Sequence, residues 1–143
     1  MLFEIVTAER LVSSEEADVV VAPGAAGELA ILPHHAPLLT SLRPGEIRMV
    51  QGEEESFIAV SGGFMEVLAN KVTILADTAE RADEIDLQRT EEALKRAQEE
   101  IASAASDQDL SRALASMRRS QARMKVARRR RRGPPRSDGP PAG

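Results

Sequence analysis

The sequence of 143 residues has no cysteine, tryptophan or tyrosine, and it contains only three phenylalanines. The absence of cysteine excludes disulfide bonds and thiol catalysis, and it fits a reducing compartment. Few aromatic side chains are available to stack on nucleic-acid bases or sugars. No apolar run approaches the roughly 20 residues of a membrane-spanning helix, and the start of the chain lacks the basic residues of a signal peptide. We therefore expect a soluble protein with an aliphatic core.

The net charge of −4 is divided unevenly along the chain. Residues 1–80 carry 4 basic and 13 acidic side chains, a net of −9, and residues 81–110 carry 4 and 9, a net of −5. Residues 111–143 carry 11 basic side chains and 1 acidic one, a net of +10. A basic end on an acidic body predicts an acidic partner surface, either on another macromolecule or on the chain's own body.

The first 80 or so residues have the pattern of a β domain. Short alternating or β-branched runs are separated by turn signals at nearly regular spacing, which is typical of a sandwich or flattened barrel. The predicted strands are residues 2–7, 18–22, 28–32, 46–50, 56–60, 64–68 and 71–76. Turns rich in glycine or asparagine join them, for example at residues 62–63 and 69–70. We predict a β-sandwich over residues 1–82.

Near residue 83 the apolar period changes from two to about 3.6, which indicates helices. Asp83 or Asp86 can cap the first helix, and the polar residues 106–109 offer a second N-cap. The first apolar stripe consists of Leu87, Leu94, Ala97, Ile101 and Ala104. The second consists of Leu110, Leu114, Met117, Gln121 and Met124.

Two narrow apolar seams with a short connection predict an antiparallel hairpin over residues 83–127. Because the seams are rich in Ala and Met, the hairpin needs the β domain or a partner to stay closed. Residues 128–143 are rich in arginine, proline and glycine, and they predict a disordered tail.

No constellation of residues supports catalysis or a metal site. The segment 24–27 lacks the lysine of a phosphate-binding Walker loop, and Ser61 lacks the flanking frame of a nucleophile elbow. The pair His34 and His35 has no accompanying cluster of further ligands.

Three segments, in order, resemble the epsilon subunit of the F-type ATP synthase: GELAILPHHAPLL, VSGGFMEV and NKVTILAD followed by AERA. The similarity covers roughly residues 2–125. It implies a β-sandwich followed by a two-helix hairpin, as the periodicity also predicts. His34 stands where this family usually has glycine, and a positive φ there would suit histidine less well than glycine.

The resemblance implies a non-catalytic subunit of the rotor stalk that requires no cofactor. Such a subunit joins the gamma subunit to the membrane c-ring, and in many bacteria it restrains ATP hydrolysis. It would sit on the cytoplasmic face of the bacterial membrane and touch the membrane only indirectly.

Gly27, Glu28 and His35 match the loop positions through which this family touches the c-ring. We expect them in a rigid, proline-flanked turn at one end of the sandwich, where little entropy is lost on docking. The alternative is that Glu28 and His35 are ordinary exposed loop residues.

The segment Ile85-Asp86-Leu87-Gln88-Arg89-Thr90 resembles the family's ATP-binding signature, with Thr90 in place of alanine. The resemblance implies a regulatory ATP site whose converging guanidinium groups would bind phosphate. Its candidate residues are Glu80, Asp86, Arg89, Arg96, Arg119 and Arg123. The alternative is that Arg89 and Arg96 form intrahelical ion pairs with Glu92.

The second helix carries a row of basic side chains, and the resemblance implies that they grip acidic loops of the alpha/beta catalytic head. The candidates are Arg112, Arg118, Arg119, Arg123 and Lys125. The alternative is a solvated polar face.

Two other functions remain as alternatives for the whole chain. Residues 128–132 are five consecutive arginines, as in a basic-tailed nucleic-acid-binding module, although the scarcity of aromatics and the acidic β domain argue against one and for no nucleic-acid partner. The other alternative is a free-standing nucleotide sensor.

Overall fold

The computed structural model describes residues 1–132, and within them lie ten strands, a short 3-10 helix and two α-helices. The strands are β1 (Leu2–Val6), β2 (Leu11–Glu16), β3 (Val19–Gly24), β4 (Gly27–Ile31), β5 (Leu38–Leu42), β6 (Gly45–Gln51), β7 (Glu54–Val60), β8 (Gly63–Leu68), β9 (Lys71–Ala76) and β10 (Ala79–Arg81). The 3-10 helix Ala82–Glu84 leads into α1 (Leu87–Ala102), and α2 spans Asp107–Arg132. The predicted architecture of a β-sandwich followed by a helical hairpin is confirmed.

All seven predicted strands are present, and three further strands were missed. The missed strands β2 and β10 form the two edges of the sheet, where a polar sequence such as that of Leu11–Glu16 is tolerated. The third, β5 (Leu38–Leu42), follows directly on a proline-containing loop. None of the three has a clean alternation of apolar and polar residues, which was the signal used for the others.

The sheet has the strand order β10-β7-β6-β3-β5-β8-β9-β1-β2, with β4 paired to β3. Its two edges are joined by side chains: Arg81 on β10 donates to Ser13 and Glu15 on β2, at 3.0 and 2.8 Å. The barrel is therefore nearly closed. Its interior is mostly aliphatic, with side chains such as Ile5, Ile47 and Val72 completely buried.

Several turns gather at one end of the sandwich. Gly24 pairs with both Gly27 and Leu42, and Gly45 pairs with Val60, which places the turns after β3, β5 and β7 together. We call this the Gly27 end.

The opposite end carries the β4–β5 loop and the β8–β9 turn, and we call it the Asn70 end. Ala69 and Asn70 have φ of 51° and 58°, as the sequence predicted for a tight turn. His34 has a φ of 65°, and its backbone N–H donates to Asn70 Oδ1 at 2.8 Å. This bond helps to hold the left-handed conformation where the related proteins were expected to have glycine.

Both helices begin at capping residues that the sequence indicated. Asp86 accepts a hydrogen bond from the Arg89 N–H at 3.1 Å, and the Ser106 hydroxyl accepts one from the Asp109 N–H at 3.1 Å. Thr90, which replaces the family's alanine, is buried and donates to the Asp86 carbonyl at 2.8 Å.

Helix α2 lies between α1 and the β-sandwich, so it buries two faces rather than one seam. The predicted stripe was therefore only partly right: Met124 is buried, but Leu110 and Gln121 are exposed. Ala113 and Ser120 are buried instead.

Helix α2 extends to Arg132, a few residues beyond the predicted start of the tail at residue 128. Arg129 supports this part of the helix, because it pairs with Glu46 and stacks on Phe57 of the β-sandwich. A segment rich in arginine and proline does not reveal such contacts from its sequence. The rest of the predicted tail, residues 133–143, lies outside the described residues.

Candidate functional site

The C-terminal half of α2 packs on β7 through a small apolar cluster. Val126 and Ala127 of α2 contact Phe57 and Ala59 of β7, and Ile85 completes the cluster. On the sheet, Ala59 pairs with Glu80 on one side and with Glu46 on the other. The helix is therefore flanked by two carboxylates in one cross-strand row, about 10 Å apart by strand spacing.

Arg123 binds the first of these carboxylates. Its Nε and Nη groups donate to the two oxygens of Glu80 at 2.6 and 3.1 Å. Both side chains are less than one-third exposed, which makes this pair better shielded than an ordinary surface ion pair.

Beside this pair lies an open cleft of about 480 Å³ between α2 and the Gly27 end of the sandwich. It presents hydroxyls, two carboxylates and two guanidinium groups, which suits a polar ligand better than an apolar one. Its lining residues are Ala59, Val60, Ser61, Asp77, Thr78, Glu80, Ser116, Arg119, Ser120 and Arg123.

The cleft unites only half of the predicted ATP-binding residues. Glu80, Arg119 and Arg123 line it, whereas Asp86, Arg89 and Arg96 do not.

Asp86 and Arg89 lie instead at the start of α1. Arg89 is 84% exposed, and its Nε is 3.9 Å from Asp86 Oδ2. Among the ion pairs of residues 1–129, none joins Glu92 to Arg89 or to Arg96, and Arg89 pairs instead with Asp86, three residues before it.

The second flanking carboxylate, Glu46, was not predicted as a site residue. Arg129 donates to both of its oxygens at 3.1 and 3.0 Å, and the Arg129 guanidinium carbon lies 4.4 Å from the Phe57 ring centroid. The hydrogen bond to Glu46 raises the pKa of Arg129, against the opposing effect of burial. Sequence spacing could not reveal this pair, because 83 residues separate its members.

The predicted head-contact residues have different surroundings. Lys125 Nζ lies 3.6 Å from Glu46 and is 60% exposed. Arg118 is exposed, and Arg112 lines a shallow depression at the helical turn with Glu100 and Asp109. Arg119 and Arg123 face the cleft.

The expectation that Gly27, Glu28 and His35 share one turn was wrong. Gly27 and Glu28 begin β4, opposite Gly24 and Pro23, at the Gly27 end. His35 lies in the loop after β4, at the Asn70 end, where its N–H donates to the Leu32 carbonyl at 3.1 Å. Because β4 is regular over five residues, Glu28 and His35 are separated by its length, although both are exposed.

A further surface was missed by the sequence analysis. This surface is the outer face of strands β8, β9, β1 and β2. There Phe64 pairs with Leu75, Leu75 with Val6, and Val6 with Leu11. Leu39 adjoins this row, and it lines a shallow depression with Phe64, Leu75 and the polar residues Glu66 and Thr73. Leu11, Leu39, Phe64 and Leu75 are each more than half exposed.

We call Val6, Leu11, Leu39, Phe64 and Leu75 the apolar face. Scattered exposed leucines are ordinary, but a contiguous row marks an interaction surface. The signal was present in the sequence as apolar residues on both faces of β8 and β9, yet only the register between strands shows that they adjoin.

None of the helices within residues 1–132 combines the length and apolarity needed to cross a lipid bilayer.

Comparison with known proteins gives the same division of the chain. Residues 1–82 match the family described as "ATP synthase, Delta/Epsilon chain, beta-sandwich domain". Residues 83–128 match "ATP synthase, Delta/Epsilon chain, long alpha-helix domain".

Curated relatives are similar over nearly their whole length. The ATP synthase epsilon chain of Herpetosiphon aurantiacus is 55% identical over 128 residues, covering 90% of this chain and 94% of that protein. The epsilon chain of Dehalococcoides mccartyi strain BAV1 is 54% identical over 132 residues, covering 92% and 94%.

Solved structures share the fold at low sequence identity. A chain in the Euglena gracilis mitochondrial ATP synthase structure (OSCP/F1/c-ring) has a TM-score of 0.75 at 19% identity, covering 87% of this chain and 79% of that one. A chain in the Tetrahymena thermophila mitochondrial ATP synthase structure (central stalk/c-ring) has a TM-score of 0.56 at 14% identity, covering 88% and 95%. Because both family domains match in order and bacterial epsilon chains are more than half identical over most of the sequence, this chain belongs to the delta/epsilon chain family of ATP synthase.

Proposed function

We propose that the chain is a non-catalytic central-stalk subunit of a proton-translocating F-type ATP synthase, where it joins the gamma subunit to the c-ring. The observation that carries this proposal is the apolar face. One half of the sandwich is covered by α2, while the outer face of the other half leaves a row of apolar side chains in water. In a subunit that works only inside an assembly, a neighbouring subunit would cover this face.

The gamma subunit is the partner we assign to the apolar face. Covering its four most exposed side chains would remove on the order of 400 Å² of apolar surface from water, worth about 10 kcal/mol before the costs of association. The chains of known structure that share this fold come from ATP synthase assemblies that include F1, the central stalk and the c-ring, which supports a stalk partner.

The c-ring is the partner we assign to the side of the sandwich that carries β4. This strand pairs only with β3 and presents Glu28 at one end and His35 beyond the other. Contact at both residues would require the partner to lie along the strand rather than to meet a single turn. The chain would then be held at the cytoplasmic face of the membrane through the c-ring alone.

The helical hairpin has a proposed role in restraining ATP hydrolysis. In the closed arrangement, Arg123 and Lys125 are engaged by carboxylates of the chain's own β-sandwich. If the hairpin opens, these side chains, together with Arg112, Arg118 and Arg119, become available to acidic loops of the alpha/beta catalytic head. The uneven distribution of charge along the chain supports this change of contacts. The acidic β-sandwich and the acidic loops of the catalytic head would compete for the basic side chains of α2.

ATP is proposed as a regulatory ligand and not as a required cofactor. The cleft beside Arg119 and Arg123 is large enough for a nucleotide, but Glu80 already engages Arg123. A phosphate group of ATP would have to replace Glu80 as the partner of the Arg123 guanidinium. Asp86, Arg89 and Arg96 would contact the nucleotide only if α1 shifted toward the cleft. Binding of this kind favours the closed hairpin, since its ligands are spread over both helices and the sandwich.

Co-purification tests the central proposal. When the tagged chain is expressed with gamma and c subunits, we expect gamma to be retained by the chain and the c-ring to be retained when gamma is present. A chain deleted of residues 106–143 keeps the apolar face and β4, so it should retain both partners. A chain that elutes alone under conditions in which gamma is folded would contradict the proposal.

A further inference from the structure

Arg129 is the last residue of α2 whose side chain the structure describes, and it contacts both a carboxylate and an aromatic ring of the β-sandwich. It combines a bidentate pair to Glu46, at 3.1 and 3.0 Å, with stacking on Phe57 at 4.4 Å. The Glu46 side chain is only 8% exposed. Such shielded, forked and stacked contacts are considerably stronger than an exposed ion pair.

The carboxylate of Glu46 depends on α2 for its neutralisation. Lys125, at 3.6 Å, and Arg129 both come from this helix. If α2 leaves the sandwich, Glu46 loses both partners, and Phe57 and Ala59 lose the apolar cover of Val126. Each of these changes opposes release of the helix.

These contacts are separate from the proposed nucleotide cleft. The cleft is lined by residues on the Glu80 side of β7, and neither Glu46 nor Arg129 belongs to it. Glu46 lies on the other side of Ala59. A nucleotide in the cleft is therefore not needed to form the Glu46–Arg129 pair.

We propose that Glu46, Phe57 and Arg129 form a latch that holds α2 closed on the β-sandwich in the absence of nucleotide. The latch is a property of the isolated chain, and only its consequence for ATP hydrolysis rests on the regulatory role proposed above. The closed hairpin is then the more populated form of the isolated chain. The catalytic head or a nucleotide shifts an equilibrium that already favours closure.

The absence of native cysteine allows the latch to be tested by distance measurement. Glu53→Cys on the β6–β7 turn and Gln121→Cys on α2 are both exposed positions for a pair of spin labels. In the full-length chain without nucleotide, we expect one short-distance population. Arg129→Ala and Glu46→Gln should each raise the open-to-closed ratio roughly tenfold to a hundredfold, as loss of hydrogen bonds to a charged group predicts.

Matched variants separate the latch from general charge effects. Arg128→Ala removes the same charge one residue away, from an exposed side chain, and should leave the distance distribution unchanged. Arg129→Lys keeps the charge but loses the forked geometry, and it should open the hairpin partially. The double variant Glu46→Gln with Arg129→Ala should open it no further than the stronger single variant, since the two residues act as one unit.

Equal distance distributions for Arg129→Ala and Arg128→Ala would overturn the latch, whatever the assembled enzyme does. Thermal unfolding of each variant verifies that the sandwich remains folded. If the Arg129→Ala variant opens the isolated chain but leaves ATP hydrolysis by the complex unchanged, the latch stands and the regulatory proposal fails.

Discussion

Replacing Phe64 and Leu75 with serine should weaken binding to the gamma subunit without destabilising the free chain. The two side chains adjoin across β8 and β9, and they are 57% and 55% exposed. Each therefore presents on the order of 100 Å² of apolar surface that a partner could cover, and together they are worth about 5 kcal/mol if the cover is complete. At 1.4 kcal/mol for each tenfold change, the Kd should rise by about three orders of magnitude.

Calorimetric titration of purified gamma subunit with the chain measures this change. The matched control is Leu110→Ser, an exposed leucine at the start of α2 and outside the apolar face. Thermal unfolding of the double variant should be nearly unchanged, because neither side chain is buried in the free chain. Equal affinity of the double variant and the control would refute the assignment of the apolar face to gamma, and a large loss of thermal stability would show that the face supports the fold instead.

Three further predictions concern the c-ring, the nucleotide and regulation. Replacing Glu28 and His35 with alanine should weaken coupling between proton flow and ATP synthesis while the β-sandwich stays folded; unchanged proton pumping in membranes would contradict the c-ring assignment. ATP should stabilise the closed hairpin by RT ln(1 + [L]/Kd), and Arg119→Ala, which removes a guanidinium group that lines the cleft, should weaken this effect; a calorimetric titration at millimolar ATP that gives no heat, or equal binding by the variant, would exclude the site. Truncation after Ala105 should leave assembly intact and raise ATP hydrolysis at low ATP; equal rates for full-length and truncated complexes would mean that the hairpin does not inhibit.

The sequence was informative where local pattern decides the structure. Alternation identified the strands that build the core, and the residues Asp86 and Ser106 indicated both helix starts. These features depend on residues within a few positions of one another, so periodicity and capping chemistry suffice.

The candidate site depended on contacts that local pattern cannot reveal. Glu46 was predicted only as the first residue of the strand at 46–50, yet its side chain is 8% exposed and pairs with α2. Residues 128–132 likewise have the composition of a disordered segment, and only the contact between Arg129 and the distant Glu46 shows why α2 extends past residue 128. The apolar face likewise required the register of five strands, which hydrophobicity alone does not specify.

The position of β1 has a consequence for the order in which the chain folds during synthesis. Strand β1 lies between β9, with which it runs parallel, and β2, so that Leu2 stands opposite Lys71. The first strand made can form a hairpin with β2 early, but it cannot take its place in the barrel until β9 has left the ribosome. Since such long-range pairing is slow compared with helix formation, closing the barrel is the slow step of folding, and the helices then dock on a surface that is already complete. A ribosome stalled after residues 71–81 have left its exit tunnel should therefore already display the finished sandwich.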